Sequence, residues 1–468
     1  MIRRAFHQRS VFEVLLPDGD KLWEPELRQI DTVLDDDALI ERVAEALETR
    51  RPKSRTRGRL GTPAEVVLRM LLLKHLADWS FDECEREVRG SLVYRAFCRI
   101  DCERVPDAKT LIRLAHCVGP DTLRGIQERL VAIGRQRRVI RGRRLRVETT
   151  VVETNIHYPT DSSLLADGVR VLTRTLKQVR EGVGAAIPKV RDRLRSVTRR
   201  VFEIAQRSRS TGRGTARTQA TAQRRITTLY RQVMRITRTV VRQAEAVAAQ
   251  IAAHTDPAVT KLGEQLRETG ELVQRVLAQT RARVLKGDTH CPDKVLSIFE
   301  PHTEAIRKGK AAKPTEFGKL VKIQETEAQF ITDYEVCATR PADGELWVPA
   351  LERHIALFGH PPDLATADAG FASAENEQAA TDRRVKHVAL PRRGRLPPAR
   401  RAHQRQRWFR RALRWRTGSE GRISALKRRH GCRRCRYRRA AGMERWVGLG
   451  VIANNLLVLG RARLRRGS

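Results

Sequence analysis

Acid is what this sequence is short of. Against 93 lysines and arginines stand 54 aspartates and glutamates, a formal charge of +39. The shortage is sharpest between Arg383 and Met443, where Glu420 is the one acidic residue. Such a balance is foreign to an ordinary metabolic enzyme. It points to a polyanionic partner held through counterion release, with binding that weakens steeply as salt rises. No run of about 18 apolar residues is read, so no membrane-spanning helix is expected and no membrane partner. The opening Met-Ile-Arg-Arg-Ala-Phe-His lacks an apolar stretch with a small-residue cleavage site, so no secretory signal is expected. Eight cysteines lie scattered, and a reduced compartment, the one where DNA is, leaves little room for a disulfide framework. Cys432-Arg-Arg-Cys435 has the spacing of half a zinc site; with no second close pair, two ordinary thiols compete with that reading.

With 468 residues the chain is long enough for two or three domains. Residues 1–60 read as a polar segment that ends in a basic linker, Arg51 to Arg59. Residues 61–140 read as a helical DNA-binding domain. Thr62-Pro-Ala-Glu65 and Ser80-Phe-Asp-Glu83 are capping boxes, and Asp107 and Asp121 mark further helix starts. A helical scaffold without groove contacts remains open for the same stretch. Arg146 to Glu153 is β-branched and opens the first core strand, within 141–163. On a strand, Glu148 shares a face with Thr150 and Val152, and Glu153 points the other way.

A helical insertion is expected over 164–288. Its first apolar stripe runs from Leu172 to Ile204 with Pro188 as a kink, its second from Ile226 to Ile251, and a shorter helix spans Leu262 to Val284. The stripes are core; the basic faces between them suit either solvent or DNA. Over 289–460, strands are expected at 294–299, 319–323, 329–332, 363–368 and 386–390, with helices at 347–358 and 374–384 and a closing helix, before a basic tail at 461–468. The sum is a mixed α/β domain interrupted by a helical insert.

Three carboxylates stand out. Glu148 lies in a strand, Asp368 ends one just before Gly370, and Glu420 sits on a helix among arginines. A carboxylate on the first strand of a buried sheet is costly unless something binds it. Hard divalent ions take oxygen ligands, and two of them clamp the attacking and leaving oxygens of phosphoryl transfer. Taken alone, Asp368 serves equally well as a turn cap.

The wider spelling resembles the bacterial insertion-sequence transposases of the DDE class, ISNCY-like members of the IS-four/IS-five superfamily. Arg416, Glu420 and Lys427 match the motif Arg-x3-Glu-x6-Lys, and Asp368-x-Gly370-Phe371 is similar to the second-acid signature. The stretch from Thr149 through Asp161 resembles the family's segment just after its first acid, and 297–303, Gly309-Lys and 314–318 also look like that group. The resemblance implies a ribonuclease-H-like catalytic core with a mixed sheet, an N-terminal helical domain and the helical insertion after the first strand. It implies that Glu148, Asp368 and Glu420 hold two Mg²⁺, with Mn²⁺ as a substitute. It also implies terminal inverted repeats and target DNA as partners, strand cleavage and strand transfer as the reaction, and a place in the bacterial cytoplasm with the nucleoid. Two ends joined together call for at least a homodimer on DNA.

The family writes Asp where this chain has Glu148, one methylene longer, which predicts reduced cleavage. Its tyrosine three residues before Arg416 is Leu413 here. Arg416, Lys427, Arg422, Arg428 and Arg429 are the expected phosphate contacts, and Trp408 a stacking residue, though core packing competes for Trp408 and Phe409. His157 and His302 read as structural or positioning groups. A DNA-binding derivative without catalysis and a nuclease that does not join strands are the rival readings.

Overall fold

The computed structural model describes residues 3–4, 19–50, 60–210, 215–307 and 314–467. The basic linker at 51–59 and the Gly309-Lys pair lie outside them. Two compact units result: 1–155 with 306–468, and 156–305. The expected helical domain therefore shares one unit with the sheet, and the expected insertion lies wholly within the other.

In the first unit, helices α1 (Pro25–Leu34), α2 (Asp37–Glu48), α3 (Ala64–Leu76), α4 (Phe81–Gly90), α5 (Leu92–Phe97), α6 (Ala108–Ala115) and α7 (Pro120–Gln136) lead to strand β1 (Arg144–Glu153). The first two were not expected from a segment read as polar. Their charges are spaced so that Ile30, Val33, Leu34, Leu39, Val43 and Leu47 are buried together. The Ser80–Glu83 box forms as read, and Asp107 caps α6 through the Thr110 amide. The Thr62–Glu65 box does not. The amides of Ala64 and Glu65 bond instead to the carbonyls of Arg3 and Arg4, while the Glu65 carboxylate accepts from Arg69 at 2.9 Å. A buried arginine outcompetes a helix end for the same acid.

The second unit holds α8 (Asp161–Val183), α9 (Leu194–Ser210), α10 (Ala216–Gln250) and α11 (Pro257–Thr280) around its own core. The first stripe breaks completely at Gly184, a positive-φ residue, before Pro188 is reached. No strand forms at 294–299. The Gln279 side chain takes both backbone groups of Val295, 2.9 Å to its amide and 3.1 Å to its carbonyl, and so uses up what a sheet neighbour would need.

The sheet adds β2 (Glu304–Ile306), β3 (Glu316–Glu325), β4 (Ile331–Val336), β5 (Leu364–Thr366) and β6 (His387–Ala389), in the order β2-β3-β1-β5-β6 with β4 also on β3. On one side β1 pairs antiparallel with β3; on the other it runs parallel to β5, and β5 to β6. Helices α12 (Trp347–Phe358) and α13 (Ala374–Asp382) come after β4 and β5, and α14 (Pro398–Arg405), α15 (Arg407–Arg429) and α16 (Ala440–Gly467) end the chain. Leu145, Val147 and Val151 of β1 pack with Trp347, Leu351 and Phe371, whereas Val152 lies with Leu426, Trp446 and Val451. Strand alternation thus turns Arg146 and Glu148 toward α15 and α16.

Helix α16 corrects two expectations. It absorbs the basic tail, and its residues 440–465 are long and apolar enough to cross a membrane by length and composition. Two-thirds of that window, 67%, is buried, and its apolar side chains belong to the cores of the helical layer and the sheet. It is the central helix of a folded unit.

Two consequences are measurable. Gly318 faces Glu153 across the ladder, and a Cβ there would come within 2.1 Å of the Val152 carbonyl oxygen. Gly318→Ala should destabilise by on the order of 2 kcal/mol in urea unfolding. Lys74 is enclosed by the rings of Phe81, Tyr437 and Trp446 at 4.9, 5.4 and 5.0 Å, and burial pushes its ammonium down to about 8. The folded protein then releases this proton before the unfolded chain does, so its contribution to stability grows as pH rises from about 8. Wild type should gain on Lys74→Met as urea midpoints are compared from pH 7.5 up to about 10.

Candidate catalytic site

The three acids arise from neighbouring elements. In the parallel pair, Arg144, Leu145 and Arg146 stand opposite Leu364, Ala365 and Thr366. Two more steps in that register bring Glu148 level with Asp368, just past the end of β5. Strand order reverses about β1, and the carboxyl ends of parallel strands at such a point form the usual crevice of an open sheet. Helix α15 supplies the third acid. It crosses β1 closely because Thr417-Gly418-Ser419 is small: a Cβ on Gly418 would stand 2.7 Å from Arg146 Nη1.

That crossing is held by buried charge. Arg146 Nε donates to Glu325 Oε2 of β3 at 2.5 Å, and Nη1 to the Trp415 carbonyl of α15 at 2.5 Å. The guanidinium also lies 5.0 Å from the centre of the Trp415 ring. From α15, Arg422 Nε approaches Glu325 Oε1 at 3.5 Å, while its Nη1 donates to Asn454 of α16 at 2.7 Å and its Nη2 to Gln329. Burial raises the Glu325 carboxyl above its ordinary range against the pull of both arginines, and burial lowers Arg422. Arg422, expected at a phosphate, is turned inward and ties α15 to β3, to the turn before β4 and to α16.

At the acids themselves, Arg416 Nη1 lies 3.2 Å from Glu148 Oε2, and the Glu148 side chain is 14% exposed. Asp368 Oδ1 accepts from the Gly370 amide at 2.8 Å, so its turn-cap role is realised. Glu420 is exposed, one residue beyond buried Ser419. Among the described residues, no three His, Cys, Asp or Glu side chains come together as a metal-holding group. The strands and helix adjoin; the carboxylates have not gathered.

Sequence reasoning overlooked Asp343. Its Oδ1 accepts from the Thr149 hydroxyl at 2.9 Å, and its Oδ2 lies 2.8 Å from where a Gly370 Cβ would stand, with Asp368 Oδ1 3.1 Å from that point. The glycine of the Asp368 motif thus makes room where two carboxylates approach. Only an Asp-Gly turn marked Asp343 in the sequence, and that says nothing of a site.

Of the expected DNA contacts, Arg428 and Arg429 are exposed and Lys427 is half-buried. Trp408 is half-buried against His387 and Phe409, at ring-centre distances of 4.7 and 5.3 Å, so packing accounts for much of its face. Cys432 and Cys435 are buried, bonded to carbonyls at 3.6 and 3.3 Å, and burial pushes the Cys432 thiol up to about 12. These are the properties of packed thiols. In the other unit, His157 Nε2 lies 3.4 Å from Asp167 and His302 Nδ1 3.5 Å from Glu300.

Residues 11–117 match the family model described as Transposase domain (DUF772), a stretch that includes α1 to α6. The match supports a transposase family, and with it DNA transposition in general and action on DNA. No curated protein and no solved structure matches the chain.

Removing Arg146 would strand Glu325 and loosen α15 together. Arg146→Ala should cost roughly 3–5 kcal/mol, whereas Arg146→Met with Glu325→Met should recover most of that loss. Chemical denaturation of both variants beside wild type measures the difference.

Proposed function

We propose that this protein is a DNA transposase of the DDE class, with a ribonuclease-H-like core, that cuts and joins strands at terminal inverted repeats. The carrying observation is the register that sets Glu148 level with Asp368, under a helix bearing Arg416, Glu420 and Lys427. An antiparallel ladder on one edge of β1 and parallel strands on the other support the ribonuclease-H-like reading.

The donors fit Mg²⁺ in type, being carboxylate oxygens on adjoining elements, though not in their present rotamers. Glu148, Asp368 and Glu420 would hold the ions, which supply Lewis-acid stabilisation and an activated water when bound. Arg416 pairs with Glu148 at 3.2 Å, and a cation that took its place would free a planar fork for phosphate. Lys427 lies seven residues after Glu420, two turns along α15, so one strand reaches both. A working complex on two ends requires at least two copies.

A DNA-binding derivative without cleavage is the second reading. It is favoured by Glu148 standing in the family's Asp position with an arginine already on it.

The test uses the full chain, Mg²⁺ or Mn²⁺, and a plasmid carrying the DNA that flanks its gene. Cleavage and joining are expected, with Asp368→Ala and Glu420→Ala losing about 100-fold or more and Glu148→Asp gaining up to about 100-fold. A retarded band with no cleavage selects the derivative, and cleavage without joining a nuclease. Full activity in Glu420→Ala would sink the assignment.

A further inference from the structure

Helix α10 carries seven arginines, no lysine and a single acid, Glu245, in 35 residues. At 100° per residue, Arg217, Arg224, Arg231, Arg235, Arg238 and Arg242 fall within an arc of roughly 60°. The arc lies opposite the buried stripe of Leu229, Val233, Val240 and Val247. All six are exposed, and none forms an ion pair among the described residues. The seventh, Arg225, is about 110° from the middle of the arc by the same geometry, and it is the one that is neutralised, 2.9 Å from Glu203 of α9. Counter-charge was thus available to this helix and was placed off the arc.

A merely solvated face mixes signs, because like charges in a row repel and cost stability. This row has neutral Thr, Gln and Ala between its arginines and ends at Glu245, whose carboxylate accepts from Gln274. Toward its C-terminal end, Arg238 faces an open groove whose other lining is Leu277, Ala278, Arg281, Ala282 and Lys286. Three cations from two chain segments line that groove and no acid does. Here the end of α11 passes into a π-helical turn, Arg281–Leu285, a distortion that often marks functional positions and changes where its side chains aim.

We infer that this face of α10, with the Arg238–Arg281–Lys286 groove, is a docking surface for the phosphate backbone of duplex DNA, an inference that rests on the reading of the protein as DNA-acting. The six arginines span about 37 Å, close to one duplex turn. Arginine suits the task because its fork takes two phosphate oxygens at once. Contacts to phosphate oxygens carry no sequence information, so binding at this surface is sequence-independent.

The experiment measures affinity of the full-length protein for a random-sequence duplex over a range of salt. Wild type is compared with Arg238→Gln/Arg281→Gln/Lys286→Gln and with Arg225→Gln as the off-arc control, helix content being checked by circular dichroism. Three lost phosphate contacts should lower the slope of log affinity against log salt by about 3 and weaken binding about tenfold or more at 0.1 M salt. The control should keep the wild-type slope. An unchanged slope in a folded triple variant overturns this surface and leaves the wider reading intact. So does a loss confined to anionic phospholipid vesicles. Wild type that binds no duplex at any salt overturns the wider reading itself, and this surface with it.

Discussion

One buried cation decides where Glu420 sits. Arg146 is on β1, two residues from Glu148, and its guanidinium joins Glu325 of β3 to the Trp415 carbonyl of α15. Because Gly418 leaves room above it, the helix comes down close onto the strand at that point. The position of Glu420 along the sheet is set by this crossing, as is the reach of Arg416 to Glu148. Buried ion pairs are seldom a source of net stability, and burial here drives the Glu325 carboxyl upward. Their return is geometric: an apolar contact slides, whereas a guanidinium held by Glu325 and by the carbonyl and ring of Trp415 defines one register between helix and strand.

The same logic explains why the candidate acids, though carried on adjoining elements, form no cluster among the described residues. Backbone pairing fixes Glu148 and the strand that ends just before Asp368, and helix packing fixes the course of α15, but rotamers answer to the nearest charge. With Arg416 at 3.2 Å and the Gly370 amide at 2.8 Å, Glu148 and Asp368 each have a local partner. A scaffold can therefore be complete while its side chains remain committed elsewhere.

Much of this was legible in the sequence, for a reason that differs by element. Helix α12 starts and stops at Trp347 and Phe358 as read, β1 obeys its β-branched text, and β3 and β5 form at the stretches read as strands. The helix bearing Glu420 was legible from its spacing. What escaped depended on partners far away in sequence. Helices α1 and α2 are amphipathic but highly charged, and only packing on α16, α3 and α7 makes their narrow apolar faces decisive. Residues 294–299 have strand-like composition, yet one glutamine satisfies the backbone there. Arg422 looked like one basic residue among many until Asn454 and Glu325 drew it inward. Asp343 needed Thr149 and Gly370 beside it before it meant anything.

Glu153 and Gly318 stand opposite each other in the β1–β3 ladder, although more than 160 positions separate them. The chain leaves the sheet and comes back to it one strand spacing away, roughly 5 Å. Apart from the short strand β2 beside β3, all that intervenes topologically is the connection of a hairpin, however much folded matter it carries. Closure entropy grows only with the logarithm of such a connection's length. That connection can therefore grow or shrink at little entropic cost while the ladder stays in register, which makes the segment between these two residues a place where insertions are cheap.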